Sequence, residues 1–441
     1  MAQPKIIVLD DDPTGSQTVH SCLLLTRWDV ETLCQGLSDR APIFFILTNT
    51  RALPAAAAAD VTRSVCRHLK QALAIAGISD YIVVSRSDST LRGHYPLETD
   101  VIAAELGPFD AHFLVPAFLE GGRITRNSQH LLVVEGQPVP VHETEFARDS
   151  VFGYRHSYLP DYVAEKTAGQ IPAAAVERIL LPDIRSPELV ERLAQLRGNA
   201  CAVVDAETQA DLDQFAAVVR ELASKGKRFL FRSAASLLTA LAQLPPQPTP
   251  AAAMAAYCRP GRCGVVLVGS HVRKTTEQLE VLLQEPDLAP LEVPVAPLAE
   301  SAAAAAEIIA TTLAAVEGAM AAAKTPVIYT SRQELTFADA ATRLAFGQRV
   351  SEVLMAIVQG LPTDLRYLIS KGGITSNDVL SKGLALPTVR LLGQILPGCS
   401  VVCTSADHPR FPELPVVLFP GNVGDRHALA TVYRRLSCAD P

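Results

Sequence analysis

Short apolar runs rich in β-branched and aromatic side chains recur along the chain, at residues 5–9, 43–47, 81–84, 112–115, 202–204, 228–231, 265–268, 326–329, 367–370 and 416–419. Each breaks off into a polar or glycine-containing turn, and runs apolar on both alternating faces predict strands buried on both sides of a sheet. Between them lie stretches with helical character: residues 54–77, opened by Pro54, residues 97–106, residues 211–223 and an alanine-rich stretch at 298–323. Strand and helix alternate, which predicts an α/β fold of two Rossmann-like lobes with mostly parallel sheets and an interdomain cleft.

The rhythm is interrupted twice. Residues 124–167 scatter His142, Glu143, Glu145, Arg148, Asp149, Arg155, His156 and Asp161 among prolines and glycines, and read as an insertion bordering the cleft, on which a homodimer would be built. Residues 245–261 carry prolines at 245, 246, 248 and 250 followed by an alanine tract, a composition expected of a semi-rigid linker. The expected domains are therefore residues 1–244 and 262–441.

Right-handed crossovers bring the carboxyl ends of parallel strands to one edge, where open α/β sheets bind ligands. In the first domain four loops would meet there, carrying Asp10, Asp11 and Asp12; Arg51; Asp88, Ser89, Thr90 and Arg92; and Arg123. Three adjacent carboxylates repel one another unless cations, metal or ligand hydroxyls compensate them. Helix N-capping by Asp12 or Thr14 is the alternative for the first loop, and a solvated turn for the third. Arginines can grip a carboxylate bidentately while an aspartate accepts from hydroxyls, so the set suits a small polyhydroxy acid. In the second domain, Ser270 follows one strand, Gly372 and Gly373 another, and Gly421 and Gly424 a third. Glycines there let backbone approach a phosphate, and Lys371 is placed to supply compensating charge.

Composition narrows the class. The 441 residues are 49% hydrophobic and 19% charged, with a net charge of −7, a pI near 5.8 and a mean hydropathy of +0.20. That describes a globular chain with no basic field for nucleic acid. The nine cysteines form no CxxC pair, and the closest spacings, Cys258 to Cys263 and Cys399 to Cys403, lack histidines at zinc-site spacing. Reduced thiols, a first strand that leaves no room for a signal peptide, and no apolar run of membrane-spanning length lead us to expect a cytoplasmic protein with no membrane partner.

Taken together, Asp11-Asp12-x-Thr14-Gly15, Thr48-Asn49-Thr50-Arg51, Asp88-Ser89-Thr90-Leu91-Arg92-Gly93, Gly372-Gly373-x-Thr375-Ser376 and Gly421-Asn422-x-Gly424 resemble, in order and over nearly the whole chain, the four-carbon acid sugar kinase family. The resemblance implies an N-terminal acid-sugar-binding domain, a C-terminal nucleotide-binding domain, and ATP-dependent phosphorylation of threonate, erythronate or 3-oxo-tetronate at the terminal hydroxyl, with Mg²⁺ bridging the phosphates. By motif, Asp12, Arg51, Asp88, Ser89, Thr90 and Arg92 would bind the acid. Ser270, Gly372, Gly373, Ile374, Thr375, Gly421, Asn422, Val423 and Gly424 would bind ATP. Family members commonly have GGET where this chain has Gly372-Gly373-Ile374-Thr375, and Lys-Ser where it has Phe419-Pro420. No metal ligand is assigned.

On this reading Arg51 and Arg92 anchor the carboxylate, and Asp12 or Asp88 accepts the proton of the attacked hydroxyl. No GxxxxGK[ST] loop occurs, which excludes a P-loop enzyme, and no GxGxxG follows a strand, which weighs against hydride transfer. A two-lobe sugar-acid sensor that has lost catalysis is the alternative, consistent with the altered glycine loops.

Overall fold

A computed structural model describes residues 3–437 of the protein apart from positions 135, 301, 302, 333, 334, 336, 338, 339 and 422. The first eleven strands are β1 (Lys5–Asp10), β2 (Leu23–Leu25), β3 (Ile43–Leu47), β4 (Tyr81–Arg86), β5 (Ala111–Val115), β6 (Arg123–Arg126), β7 (Gln129–Val134), β8 (Gln137–Pro140), β9 (Glu177–Ile179), β10 (Ala200–Val204) and β11 (Phe229–Ser233). A further seven follow: β12 (Val265–Val268), β13 (Leu288–Val293), β14 (Thr325–Thr330), β15 (Leu368–Lys371), β16 (Thr388–Leu396), β17 (Cys399–Cys403) and β18 (Pro415–Phe419). The chain divides into two units, Met1–Pro246 and Gln247–Pro441.

In the first unit eight strands run in the order β2-β3-β1-β4-β11-β5-β10-β9, and every pairing among them is parallel. Helices cover the sheet because its strands are apolar on both faces. On one side Ile7, Leu9, Phe44, Ile46 and Val83 pack against Leu33, Val65, Leu69 and Leu73. The helix Ala55–Ala76 begins after Pro54 and stops at Gly77, whose φ of 65° returns its N–H to the carbonyls of Leu73 and Ala74. Gln209–Ser224 is opened by a capping box of Thr208 and Asp211.

Residues 123–167 form a small module of their own. β6, β7 and β8 make a separate antiparallel sheet, and the helix Leu159–Lys166 follows. The β6–β7 turn places Asn127 and Ser128 at φ of 52° and 65°, held by the Asp205 carboxylate, which accepts from both backbone N–H groups at 2.7 and 2.8 Å.

The second unit has the order β13-β14-β12-β15-β18-β17-β16. β13 to β18 in that list pair in parallel, and β17 and β16 close the sheet antiparallel. Sequence reading has no strand over 388–403. β16 alternates between more and less buried positions, the two-residue period of a half-covered strand rather than a continuous apolar run.

Two expectations are corrected here. Residues 247–261 are not a bare spacer: Ala251–Tyr257 is a 3₁₀ turn, Met254 is fully buried in the second unit's core, and the Gln247 amide donates to the Gln394 carbonyl at 3.1 Å. The stretch Ala304–Ala321 is, by length and composition, apolar enough to cross a membrane, which the sequence reading did not expect. Its hydropathy comes mostly from alanine, it carries Glu307 and Glu317, and Glu317 pairs with Arg262 at 2.9 Å. Ile308, Val316 and Met320 bury one face, as on a helix flanking a sheet.

Candidate functional site

β1, β3, β4 and β11 end side by side, and the loops that leave them build an interlocked cluster of charge. Asp10 ends β1 fully buried, and Arg86 ends β4 and meets it at 3.1 Å. Asp11 is held by the Arg51 guanidinium through Nη2 at 2.5 Å and Nε at 3.1 Å, and by the Ser87 hydroxyl at 2.6 Å. The third Arg51 nitrogen reaches Asp12 at 3.1 Å. Arg51 therefore straddles two carboxylates, the compensation that three adjacent aspartates require. Gly15 lies against this cluster: a Cβ there would fall 2.1 Å from both Asp10 oxygens.

The 88–92 loop adds a second pair. Asp88 accepts from Arg92 Nε at 2.7 Å and from the Thr90 hydroxyl. Arg92 also faces Asp149 at 3.7 Å and lies 5.0 Å from the Phe146 ring. Beneath both pairs lies Arg232 from the end of β11, which donates to Ser85 (2.7 Å), Ser87 (2.7 Å) and Glu98 (2.6 Å). Glu98 in turn accepts from Thr50 at 2.5 Å. Gly93 is required here, since its φ is 124° and a Cβ would fall 2.6 Å from Arg232 Nη2. Ser87, Asp88, Leu91, Arg92, Tyr162 and Arg232 line a small indentation beside this pair.

Electrostatics separate the carboxylates. Burial pushes Asp10 up to about 7, with Arg86 opposing and Asp11 and Asp12 reinforcing it. Burial acts on Asp12 in the same direction but is outweighed by Arg51, Arg86 and two hydrogen bonds from Thr14, so its carboxyl titrates below the usual range. Asp88 follows the same logic, with Arg51 and Arg92 overcoming burial to hold it well below that range. Asp12 and Asp88 are thus both ionised near neutrality. Asp12 is also the most accessible of the three consecutive aspartates, its side chain 23% exposed against 2% for Asp11 and none for Asp10.

Of the residues expected to bind the acid, the structure joins Asp12 to Arg51, and Asp88 to Thr90 and Arg92. Ser89 enters through its backbone, where its carbonyl accepts from His130 at 2.7 Å. Arg123 opens β6, with Nη1 donating to the Gly121 carbonyl at 2.5 Å. Glu98 and Arg232 join the cluster unannounced by the sequence, and Arg86, which belongs to the polar run 86–93, gains its partner only in the fold. Arg86 ends β4 and Arg232 is the last residue but one of β11, so each is a charge that closes an apolar run.

In the second unit β12, β15 and β18 are neighbours, so their loops come together as well. The Thr275 hydroxyl donates to the Gly421 carbonyl at 3.0 Å and lies 3.2 Å from the Ser270 hydroxyl, from which it can accept. Gly372 has a φ of 125°, and a Cβ there would lie 2.9 Å from Thr375 Oγ1 and 3.0 Å from Ser270 Cβ. Gly373 opens the helix Gly373–Asp378. Arg332 donates to the Ser270 carbonyl at 2.9 Å, and Gln278 holds the Val423 carbonyl at 2.9 Å. Gly424 (φ 79°) packs on Ala428, which leaves no room for a Cβ. Asn422 lies outside the described residues. Backbone approach, glycines and the Ser270 and Thr375 hydroxyls fit a phosphate chain. Ile374 is 66% exposed and brings no carboxylate to the loop, and among the described residues no group of three or more metal-ligating side chains occurs.

Lys371 does not present its charge to the loop surface as expected. Its side chain is fully buried, donates to the Pro420 carbonyl at 2.5 Å and the Gly421 carbonyl at 3.3 Å, and lies 4.0 Å from the Phe419 ring. It shapes the loop from below. Burial pushes Lys371 down to about 7, with Cys399 opposing and Lys274 reinforcing the shift. Between pH 7 and 10.5 the unfolded lysine carries a proton that the folded one has lost, so this group adds stability as pH rises across that window. Chemical unfolding of the wild type and Lys371→Met at pH 7 and pH 10 checks this: the wild type is expected to gain on the variant at the higher pH. A constant difference would place the ammonium in contact with solvent.

Fold and site together define a two-unit α/β protein with a cluster of paired charges at the strand ends of one unit and a cluster of glycine loops at the strand ends of the other. Residues 6–241 match the family model described as a sugar-binding N-terminal domain, and residues 265–429 match that of a nucleotide-binding C-terminal domain. The chain belongs to the four-carbon acid sugar kinase family. It is 28% identical over 295 residues to a D-erythronate kinase of Heliobacterium modesticaldum, covering 63% of this chain and 60% of the relative. It is 30% identical over 216 residues to a D-threonate kinase of Bordetella bronchiseptica, covering 45% of this chain and 51% of the relative. The chain thus spans less than two thirds of either relative. In fold it is similar to a solved protein of Salmonella typhimurium LT2 (TM-score 0.72, 19% identity, 99% of this chain and all of that one). It is also similar to one of Haemophilus influenzae (TM-score 0.62, 16% identity, 98% of this chain and all of that one).

Proposed function

We propose that the protein is an ATP-dependent kinase that phosphorylates the terminal hydroxyl of a small sugar acid, a four-carbon aldonate or its 3-oxo form. The observation that carries this reading is the pairing of Arg51 with Asp11 and Asp12, and of Arg92 with Asp88, at adjacent strand ends. Two arginines suited to a carboxylate stand beside two ionised aspartates suited to hydroxyls. Their spread favours a ligand with an acid at one end and alcohols along its length. The relatives named as D-erythronate and D-threonate kinases support the same class.

In this reading Arg51 and Arg92 hold the carboxylate, Asp88 accepts a hydrogen bond from a substrate hydroxyl, and Asp12 orients the attacked hydroxyl and takes its proton. A carboxylate held below the usual range is a weak base. That suffices where the hydroxyl proton leaves late and positioning supplies most of the rate. ATP would be held by the backbone of Gly372, Gly373 and Gly421 and by the Ser270 and Thr375 hydroxyls, and it supplies the transferred phosphoryl group. With Ile374 in place of an acidic residue, the loop offers Mg²⁺ no carboxylate, and no step is assigned to a protein-held ion.

The test is ADP release by the purified chain with ATP and a panel of four- and five-carbon aldonates and their keto forms. Turnover with at least one four-carbon acid, and none with the matching neutral sugars, is expected. Calorimetric binding of an acid without ADP release would instead identify a sensor.

A further inference from the structure

Three successive backbone carbonyls of the acid-binding loop are each taken by a side chain of the 123–167 module. His130 Nε2 meets the Ser89 carbonyl at 2.7 Å, the Tyr154 hydroxyl donates to that of Thr90 at 2.7 Å, and the Tyr162 hydroxyl donates to that of Leu91 at 2.8 Å. All three side chains are buried. His130 Nδ1 lies 2.9 Å from the Thr125 hydroxyl. With that hydroxyl donating to Nδ1, the ring is a neutral imidazole whose Nε2–H points at Ser89. The rings of Tyr95, Tyr154 and Tyr162 pack on one another, at 5.9 Å between Tyr95 and Tyr162 and 5.6 Å between Tyr154 and Tyr162. Leu91 has a φ of 66°, a conformation a leucine keeps only when its surroundings over-determine it.

The same module also touches the arginine this loop presents. Arg92 is flanked by Asp149 and by the Phe146 ring, and Tyr162 lines a small indentation together with Asp88 and Arg92. Left to itself, a loop of this composition would sample many conformations, and the acid would have to order it on binding. Carbonyls held at three consecutive positions remove that freedom before the ligand arrives.

We infer that His130, Tyr154 and Tyr162 are positioning residues for acid recognition: by tying down the carbonyls of Ser89, Thr90 and Leu91 they preform the Asp88 and Arg92 grip and set which chain length of acid it accepts. The inference rests on the sugar-acid reading above, and it assigns the module a part in specificity rather than in stability alone.

The double variant Tyr154→Phe, Tyr162→Phe tests it, since phenylalanine keeps the ring packing and removes only the two hydroxyl donors. The KM for the preferred acid is expected to rise about tenfold or more with the KM for ATP unchanged, and the preference between four- and five-carbon acids to narrow. An unchanged acid KM and preference accompanied by a lower melting temperature would make the module purely structural and overturn the inference. So would an equal rise in both KM values. If the double variant does not fold, the two single variants are read in the same way. If the wild type releases no ADP with any acid, the kinase reading fails. Calorimetry of acid binding then decides the clamp: weaker binding by the variant supports it, and equal binding overturns it.

Discussion

Asp12→Asn is expected to lower turnover of the cognate acid by about 10²- to 10⁴-fold, the range in which a positioned proton acceptor contributes, while the melting temperature changes little. The geometry makes the substitution local. Arg51 keeps its two bonds to Asp11 when the Asp12 charge is gone, and the amide oxygen can still accept from the Thr14 backbone N–H, now 2.8 Å from Asp12 Oδ1. What is lost is a carboxylate ionised at neutral pH at the most accessible point of the aspartate run. ADP release under saturating ATP and acid, alongside thermal unfolding, measures both effects. Near-normal turnover would remove Asp12 from the role and leave Asp88 as the acceptor.

Arg232→Met is expected to cost about 3–5 kcal/mol of stability, because it leaves the buried Glu98 carboxylate without its cation. For a unit of this size that corresponds to a fall of roughly 10 °C in melting temperature. Glu98 would keep only the Thr50 hydroxyl, and Ser85 and Ser87 would lose a shared donor. Ser87 also bonds Asp11, so the loss spreads into the acid cluster. Adding Glu98→Leu should recover much of the stability without restoring acid binding, since removing both partners of a buried pair costs less than removing one. A single variant as stable as the wild type would show that the pair contributes nothing.

The arginines show where legibility ends. Arg51 and Arg92 could be read because they stand in polar loops after apolar runs. Arg86 and Arg232 close the strands β4 and β11, and nothing local names the partner of either. Only the parallel order β1-β4-β11 brings Arg86 to Asp10, and Arg232 to Ser85 and Ser87. Likewise, His130, Tyr154 and Tyr162 stand in a stretch read as an irregular insertion, and none of its spacings announces that they converge on residues 89–91. Lys371 stands beside a glycine loop in the sequence, but its side chain is the loop's buried support rather than a charge offered to a ligand.

By itself the sequence determined the ten apolar strands, the helices near 54–77, 97–106, 211–223 and 298–323, though not the long helix Ala340–Gly360, and the motif residues at the strands' carboxyl ends, because these are properties of neighbouring residues: apolar period, turn chemistry and caps. The tertiary structure decided which loops meet, which charge compensates which, and which side chains hold residues 89–91 from behind. Those are contacts between residues far apart in sequence, such as Arg51 with Asp11 and Tyr162 with Leu91, and their partners are set by strand order and burial rather than by local pattern.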